Sequence, residues 1–161
     1  MRIAQTLFAV ALATYSLVAA PQQRDEGEVV FVGTSDPDMV AAIKQARATL
    51  PDFLKLAANP PTGTDGYKLK VMVIDGAKTE HFWVTPFKVL PEGFAGILAN
   101  DPKVVKNVKA GQVVRFDNSL ISDWGYTKDG RQVGSFTVCV LFKKMPTDQA
   151  DYYRKNHGFD C

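Results

Sequence analysis

Histidine and cysteine are scarce in this 161-residue chain, which has two of each. A structural zinc site takes four protein ligands, and His157 with Cys161, spaced like neighbours on a helical turn, falls short of that. No metal site is expected, and no motif asks for a cofactor. The sequence has no Gly-x-Ser-x-Gly elbow, no His-Glu-x-x-His pair and no glycine-rich phosphate loop. Internal repeats and low-complexity runs are also missing. Net charge is slight, with 19 basic against 17 acidic side chains and a formal +2. A near-neutral chain has no long-range field to gather nucleic acid or an anionic membrane. The cluster Lys103, Lys106 and Lys109 therefore reads as a solvated face rather than a phosphate or nucleic-acid site.

Charge is missing in one further place, residues 3–20, which follow a single Arg2. An apolar run (Ile3, then Leu7 to Ala13) and a small-residue end, Val18-Ala19-Ala20, read as a secretory signal peptide over residues 1–20. An uncleaved anchor would need about 20 apolar residues, and Gln5, Thr6, Thr14 and Ser16 dilute the run. Pro21 would obstruct a cut directly after Ala20, which leaves the exact site open. No cysteine stands near it to carry a lipid. The expectation is a periplasmic or secreted protein with no membrane attachment after processing, folded as one domain over residues 24–161. In an oxidising compartment Cys139 and Cys161 are expected to be bridged. The bridge closes a loop of about 22 residues, worth roughly 3 kcal/mol on a chain-entropy model.

Glu28 to Val32 is a short apolar run that reads as a buried strand. Ser35-Asp36-Pro37-Asp38 starts a helix: a capping side chain, proline in the first turn, an acid at the positive end of the dipole. Met39, Ala42, Ile43, Ala46, Leu50, Phe53, Leu54 and Ala57 then repeat at helical spacing, with Pro51 expected to kink or split the helix. Strands are expected at Tyr67–Ile74, Thr79–Val89, Phe94–Ala99, Gln112–Phe116, Leu120–Tyr126 and Phe136–Phe142, joined by turns such as Asp75-Gly76 and Lys128-Asp129-Gly130. Asn100 to Gly111 reads as a short helix, and Thr147 to Asn156 as a terminal one. The fold class is α+β: an antiparallel twisted sheet of about five to seven strands, a long N-terminal helix and a short C-terminal helix.

Glu80 to Tyr126 holds both tryptophans and His81. Strand alternation places His81 and Trp83 on one face and Glu80 and Phe82 on the other. A Glu80–His81 dyad would need a bulge, whereas His81 with Asp123 from a later strand is geometrically easier. An Asp-oriented histidine beside Ser122, Thr85 or Ser119 would make a hydrolase-like centre. The same pair equally serves to tie two strands in register. Trp83, Trp124 and Tyr126 are residue types that dominate binding hot spots. Exposed together they would form a recognition surface for a protein, peptide or glycan; buried, they are core.

Glu80-His81-Phe82-Trp83-Val84, Gly96-Ile97-Leu98-Ala99-Asn100-Asp101-Pro102, Gly111-Gln112-Val113-Val114, Ile121-Ser122-Asp123-Trp124-Gly125-Tyr126 and Gly134-Ser135-Phe136-Thr137-Val138 together resemble the YegJ-like bacterial domain of unknown function. The resemblance covers roughly Asp38 to Phe142. It implies a bacterial origin and a small α+β domain, and it transfers no catalytic residue. Two functions are expected from the residues themselves. One is a non-enzymatic binding domain, of inhibitor or immunity type, using the aromatic surface. The other is a small hydrolase-like enzyme using His81 with Asp123 or Glu80.

Overall fold

Asp36 lies in extended backbone, and its carboxylate accepts the N–H groups of Asp38 (3.0 Å) and Met39 (3.2 Å). With Pro37 next, this side chain starts the helix α1, Pro37–Ala58. The computed structural model describes residues 35–161. The signal peptide and the strand expected at Glu28–Val32 lie outside the described residues. The expected stripe Met39, Ala42, Ala46, Leu50 and Phe53 is buried. Pro51 does not split α1, which runs unbroken through it. Leu50 and Phe53 on either side are both in the core, and their packing outweighs the one lost backbone bond.

Six strands follow: β1 (Thr64–Asp75), β2 (Lys78–Leu90), β3 (Gly93–Leu98), β4 (Val113–Phe116), β5 (Ile121–Lys128) and β6 (Arg131–Gly134). They form one sheet in the order β4-β3-β2-β1-β5-β6, and every neighbouring pair is antiparallel. Two short helices close the chain, α2 (Phe136–Phe142) and α3 (Thr147–His157). This is the α+β fold expected.

Leu69 and Val71 of β1, Phe82 and Val84 of β2, Phe94 and Leu98 of β3, and Trp124 and Tyr126 of β5 bury one sheet face against Ala46, Leu50 and Phe53 of α1. Phe53 stacks on Trp124 with ring centroids 4.8 Å apart, and the indole N–H donates to the carbonyl of Ala46 at 2.9 Å. Arg47 donates to the carbonyls of Ile121 (2.8 Å) and Ser119 (2.7 Å), so α1 also satisfies acceptors at the start of β5.

Two expected elements are corrected. Asn100 to Gly111 is not helical. The Glu80 carboxylate accepts the N–H groups of Lys103 (2.9 Å), Val104 (2.8 Å) and Val105 (3.1 Å), and Asp75 accepts that of Lys106 (2.8 Å). Side chains of the β1–β2 hairpin thus take the donors that would start a helix, and the segment wraps around them as a loop.

Phe136–Phe142 is a helix, not the last strand. Its β-branched and aromatic composition suits a strand, but tertiary contacts decide otherwise. The hairpin turn at Asp129 and Gly130 returns the chain as β6, which ends at Gly134. Gly134 (φ 78°) and Ser135 (φ 55°) then both take left-handed backbone and turn the chain off the sheet. A Cβ at Gly134 would collide with Trp124, so glycine is required there twice over. The bridge Cys139–Cys161 is present, and it ties the C-terminus to α2 rather than to a strand.

Candidate functional site

The second face of the sheet, opposite the core, is built by the residues that alternate with it. On β1 these are Lys68, Lys70 and Met72; on β2 they are His81 and Trp83. Lys70 is the hinge of this face, since it pairs in register with Trp83 on one side and Asp123 on the other. The β2 and β5 strands are therefore not neighbours; β1 runs between them.

Trp83 is half-buried, and two ammonium groups sit over its ring: Lys68 Nζ at 4.9 Å from the centroid and Lys70 Nζ at 5.6 Å. Lys68 also donates to the Gln132 side-chain oxygen (3.1 Å), and Lys70 to the Thr137 hydroxyl (3.0 Å). Burial pushes both amines below the ordinary lysine range, and the charge of Asp123 opposes the shift. Trp124 and Tyr126, expected beside Trp83, are instead 7% and 8% exposed and lie in the core, on the other face. A three-residue aromatic surface does not exist; Trp83 stands with lysines.

Asp123 is fully buried and does not bond His81. Its carboxylate accepts the N–H groups of Trp124 (2.8 Å), Phe136 (3.3 Å) and Thr137 (2.8 Å) and the Thr137 hydroxyl (2.7 Å). These donors include the first turn of α2, so Asp123 caps a helix from a neighbouring strand. Burial raises its pKa, against the hydrogen bonds from Thr137 and the charge of Lys70.

His81 pairs with Ser122 instead. Between Lys70↔Asp123 and Val71↔Ile121, β5 holds one residue more than β1, and that bulge residue is Ser122. Its Oγ lies 2.8 Å from His81 Nδ1 and 3.2 Å from the Lys70 carbonyl, to which it donates. Burial, then the charges of Lys70 and Arg47, push the His81 pKa down to about 4, so the imidazole is neutral at pH 7. Glu80, the other expected partner, is committed to the loop after β3. Of the other hydroxyls considered, Thr85 donates to the Tyr67 carbonyl and Ser119 to Asp117.

His81 and Ser122 also line a cleft of about 380 Å³, with Val40, Ile43, Lys44 and Arg47 of α1 and with Met72 and Leu120. Among the described residues no three of His, Cys, Asp and Glu are grouped to hold a metal ion. Sequence reasoning found His81, Ser122 and Trp83 but passed over Lys68, Lys70, Arg47 and Thr137. The signal for the two lysines was present in Lys68-Leu69-Lys70-Val71, whose alternation sends both to the face of Trp83. Arg47 and Thr137 reach the site through tertiary packing alone.

The family described as "Uncharacterized protein conserved in bacteria (DUF2314)" matches residues 36–161. The chain is 34% identical over 126 residues to "Uncharacterized protein YegJ" of Escherichia coli (strain K12), covering 78% of this chain and 81% of that protein. It is also 28% identical over 86 residues to "Putative ankyrin repeat protein NMB1133/NMB1171" of Neisseria meningitidis serogroup B (strain ATCC BAA-335 / MC58). That match covers 53% of this chain but only 34% of the longer protein. No solved structure matches. The match across every described element from α1 to α3 makes this chain a member of that bacterial DUF2314 family, whose function is not established.

Proposed function

We propose that this is a small non-enzymatic binding domain of the periplasm or the secreted space, which captures a protein or peptide partner through the face around Trp83. One observation carries the reading: Trp83 alone of the two tryptophans is kept off the core, with two lysine ammoniums over its ring. A half-buried indole with cations over its ring suits a partner segment with an acidic group beside an apolar one. An inhibitor or immunity-type role agrees with a small disulfide-tied domain in which both candidate acids, Glu80 and Asp123, are occupied by backbone N–H groups. The disulfide supports an oxidising compartment. The test is affinity capture from the native periplasm by the mature protein and by Trp83→Ala. Loss of the captured partner with an unchanged fold is expected; full capture by a folded Trp83→Ala protein rejects the reading.

The enzyme reading has one observation in its favour, the neutral His81 within 2.8 Å of the Ser122 hydroxyl beside a cleft. Its proposed Asp123 and Glu80 partners are engaged elsewhere. A His81→Ala variant that fully complements a deletion phenotype would remove it.

A further inference from the structure

The cleft between α1 and the β1–β2–β5 part of the sheet has a lining unlike the lysine–tryptophan face. Val40, Ile43, Met72 and Leu120 give it apolar walls, Lys44 and Arg47 bring two positive charges from one helix, and among the described residues no acid lines it. Among the described residues neither Lys44 nor Arg47 has a carboxylate partner. Arg47 is held in place by the Ile121 and Ser119 carbonyls, which fix its guanidinium without neutralising it. Val40 at the cleft is 50% exposed, so an apolar wall faces water.

From this charge and shape we infer that the cleft is a ligand site for a medium-chain alkyl carboxylate, with the chain against Val40, Ile43, Met72 and Leu120 and the carboxylate at Lys44 and Arg47. A space of about 380 Å³ falls in the size class of small-ligand sites, roughly 300–1,000 Å³, and decanoate serves as the probe of this ligand class. Small-ligand pockets are lined in this way, mostly apolar with a few polar groups that fix orientation. The neutral, part-buried His81 suits the arrangement: it adds no third charge, and as a lining residue it is placed to report an anion arriving beside Arg47. The site is separate from the proposed partner face, because Trp83 does not line the cleft.

The experiment is titration of the mature protein with decanoate, followed by NMR of the Met72 methyl and the two histidine rings. Decanoate is expected to shift Met72 and His81 while leaving His157 unmoved, and to raise the His81 pKa, since an anion at Arg47 offsets one of the two cations that depress it. Neutral 1-decanol is expected to bind at least tenfold more weakly. Lys44→Glu and Val40→Trp, both substitutions at exposed positions, should each weaken decanoate at least tenfold in a folded protein, and Trp83→Ala should leave it unchanged. Equal binding of decanoate and 1-decanol, undiminished binding in Lys44→Glu, or no response at His81 and Met72 would overturn the assignment. Because Trp83→Ala separates the two surfaces, failure here leaves the partner-capture reading standing, and the reverse.

Discussion

Asp123 Oδ2 accepts both the backbone N–H of Thr137, at 2.8 Å, and its hydroxyl, at 2.7 Å, across fourteen positions of sequence. That contact is the joint between the sheet and α2. Lys70 reaches the same threonine from β1, at 3.0 Å, so β1, β5 and the start of α2 meet at one hydroxyl. A buried carboxylate is tolerated because four donors surround it and an ammonium lies nearby. The same commitment removes Asp123 as an orienting group for His81.

Removing that carboxylate leaves the N–H groups of Trp124, Phe136 and Thr137 and the Thr137 hydroxyl without their acceptor, and takes away the charge that faces Lys70. Asp123→Ala is expected to destabilise the fold by about 3–5 kcal/mol, the range for breaking a buried charged network. Asp123→Asn keeps one acceptor oxygen and should cost about 1–3 kcal/mol. Urea denaturation of both variants checks this. A loss under about 1 kcal/mol for the alanine variant would be inconsistent with a cap.

Glu80 is expected to act on the loop after β3 rather than on chemistry. Its carboxylate holds the N–H groups of Lys103, Val104 and Val105. Glu80→Ala should lower stability by about 1–3 kcal/mol, since hydrogen bonds to a charged acceptor are each worth about 1.5–3 kcal/mol and water repays part. Amide exchange is the sharper measurement. Protection at Lys103 to Val105 should vanish while that of β1 persists; unchanged protection would contradict the tether.

Much of this architecture is legible in the amino-acid sequence. The α1 stripe, the start at Asp36, the hairpins and the sharing of a face by His81 and Trp83 all follow from local periodicity, and the structure has them. What was not legible depends on a carboxylate reaching a distant backbone. Phe136–Phe142 has strand composition yet is helical because Asp123 waits at its first turn. Asn100–Gly111 has a helix-like pattern yet is a loop because Glu80 and Asp75 take its donors. Face assignments across β2, β1 and β5 also depended on strand order: Trp124 and Asp123 adjoin Trp83 and His81 only through β1. Alternation within β5 settles one tryptophan inward, but only α1, with Phe53 against the ring, makes that side the core.

The Cys139–Cys161 bridge closes a 22-residue separation and fastens the C-terminus to α2. Replacing both cysteines by serine is expected to lower stability by about 2–4 kcal/mol under oxidising conditions. Reduction of the wild type with dithiothreitol should give the same loss, and the double variant should not respond to reductant. If the reduced wild type and the oxidised wild type have the same midpoint in urea, the bridge contributes nothing to the fold.

The pH dependence of stability should carry the signature of His81. Its folded-state pKa is about 4, lowered from 6.5 by burial and then by Lys70 and Arg47. Between those two values the unfolded chain takes up a proton that the native state refuses, so stability rises with pH. The contribution is fully present above about pH 6.5 and is lost as pH falls toward 4; over the whole window it amounts to about 3 kcal/mol at most. Asp123 works with the opposite sign, because a raised folded pKa favours the native state at low pH and that gain fades as pH rises. The wild type alone therefore mixes the two terms, and the comparison that separates them is with His81→Gln, which keeps a polar partner for Ser122 and cannot take up a proton. Unfolding free energies at pH 7 and pH 4.5 should fall by about 2 kcal/mol more in the wild type than in the variant. Equal losses would mean that His81 is protonated as readily in the fold as outside it, and that the neutral imidazole at the cleft is not a property of this protein.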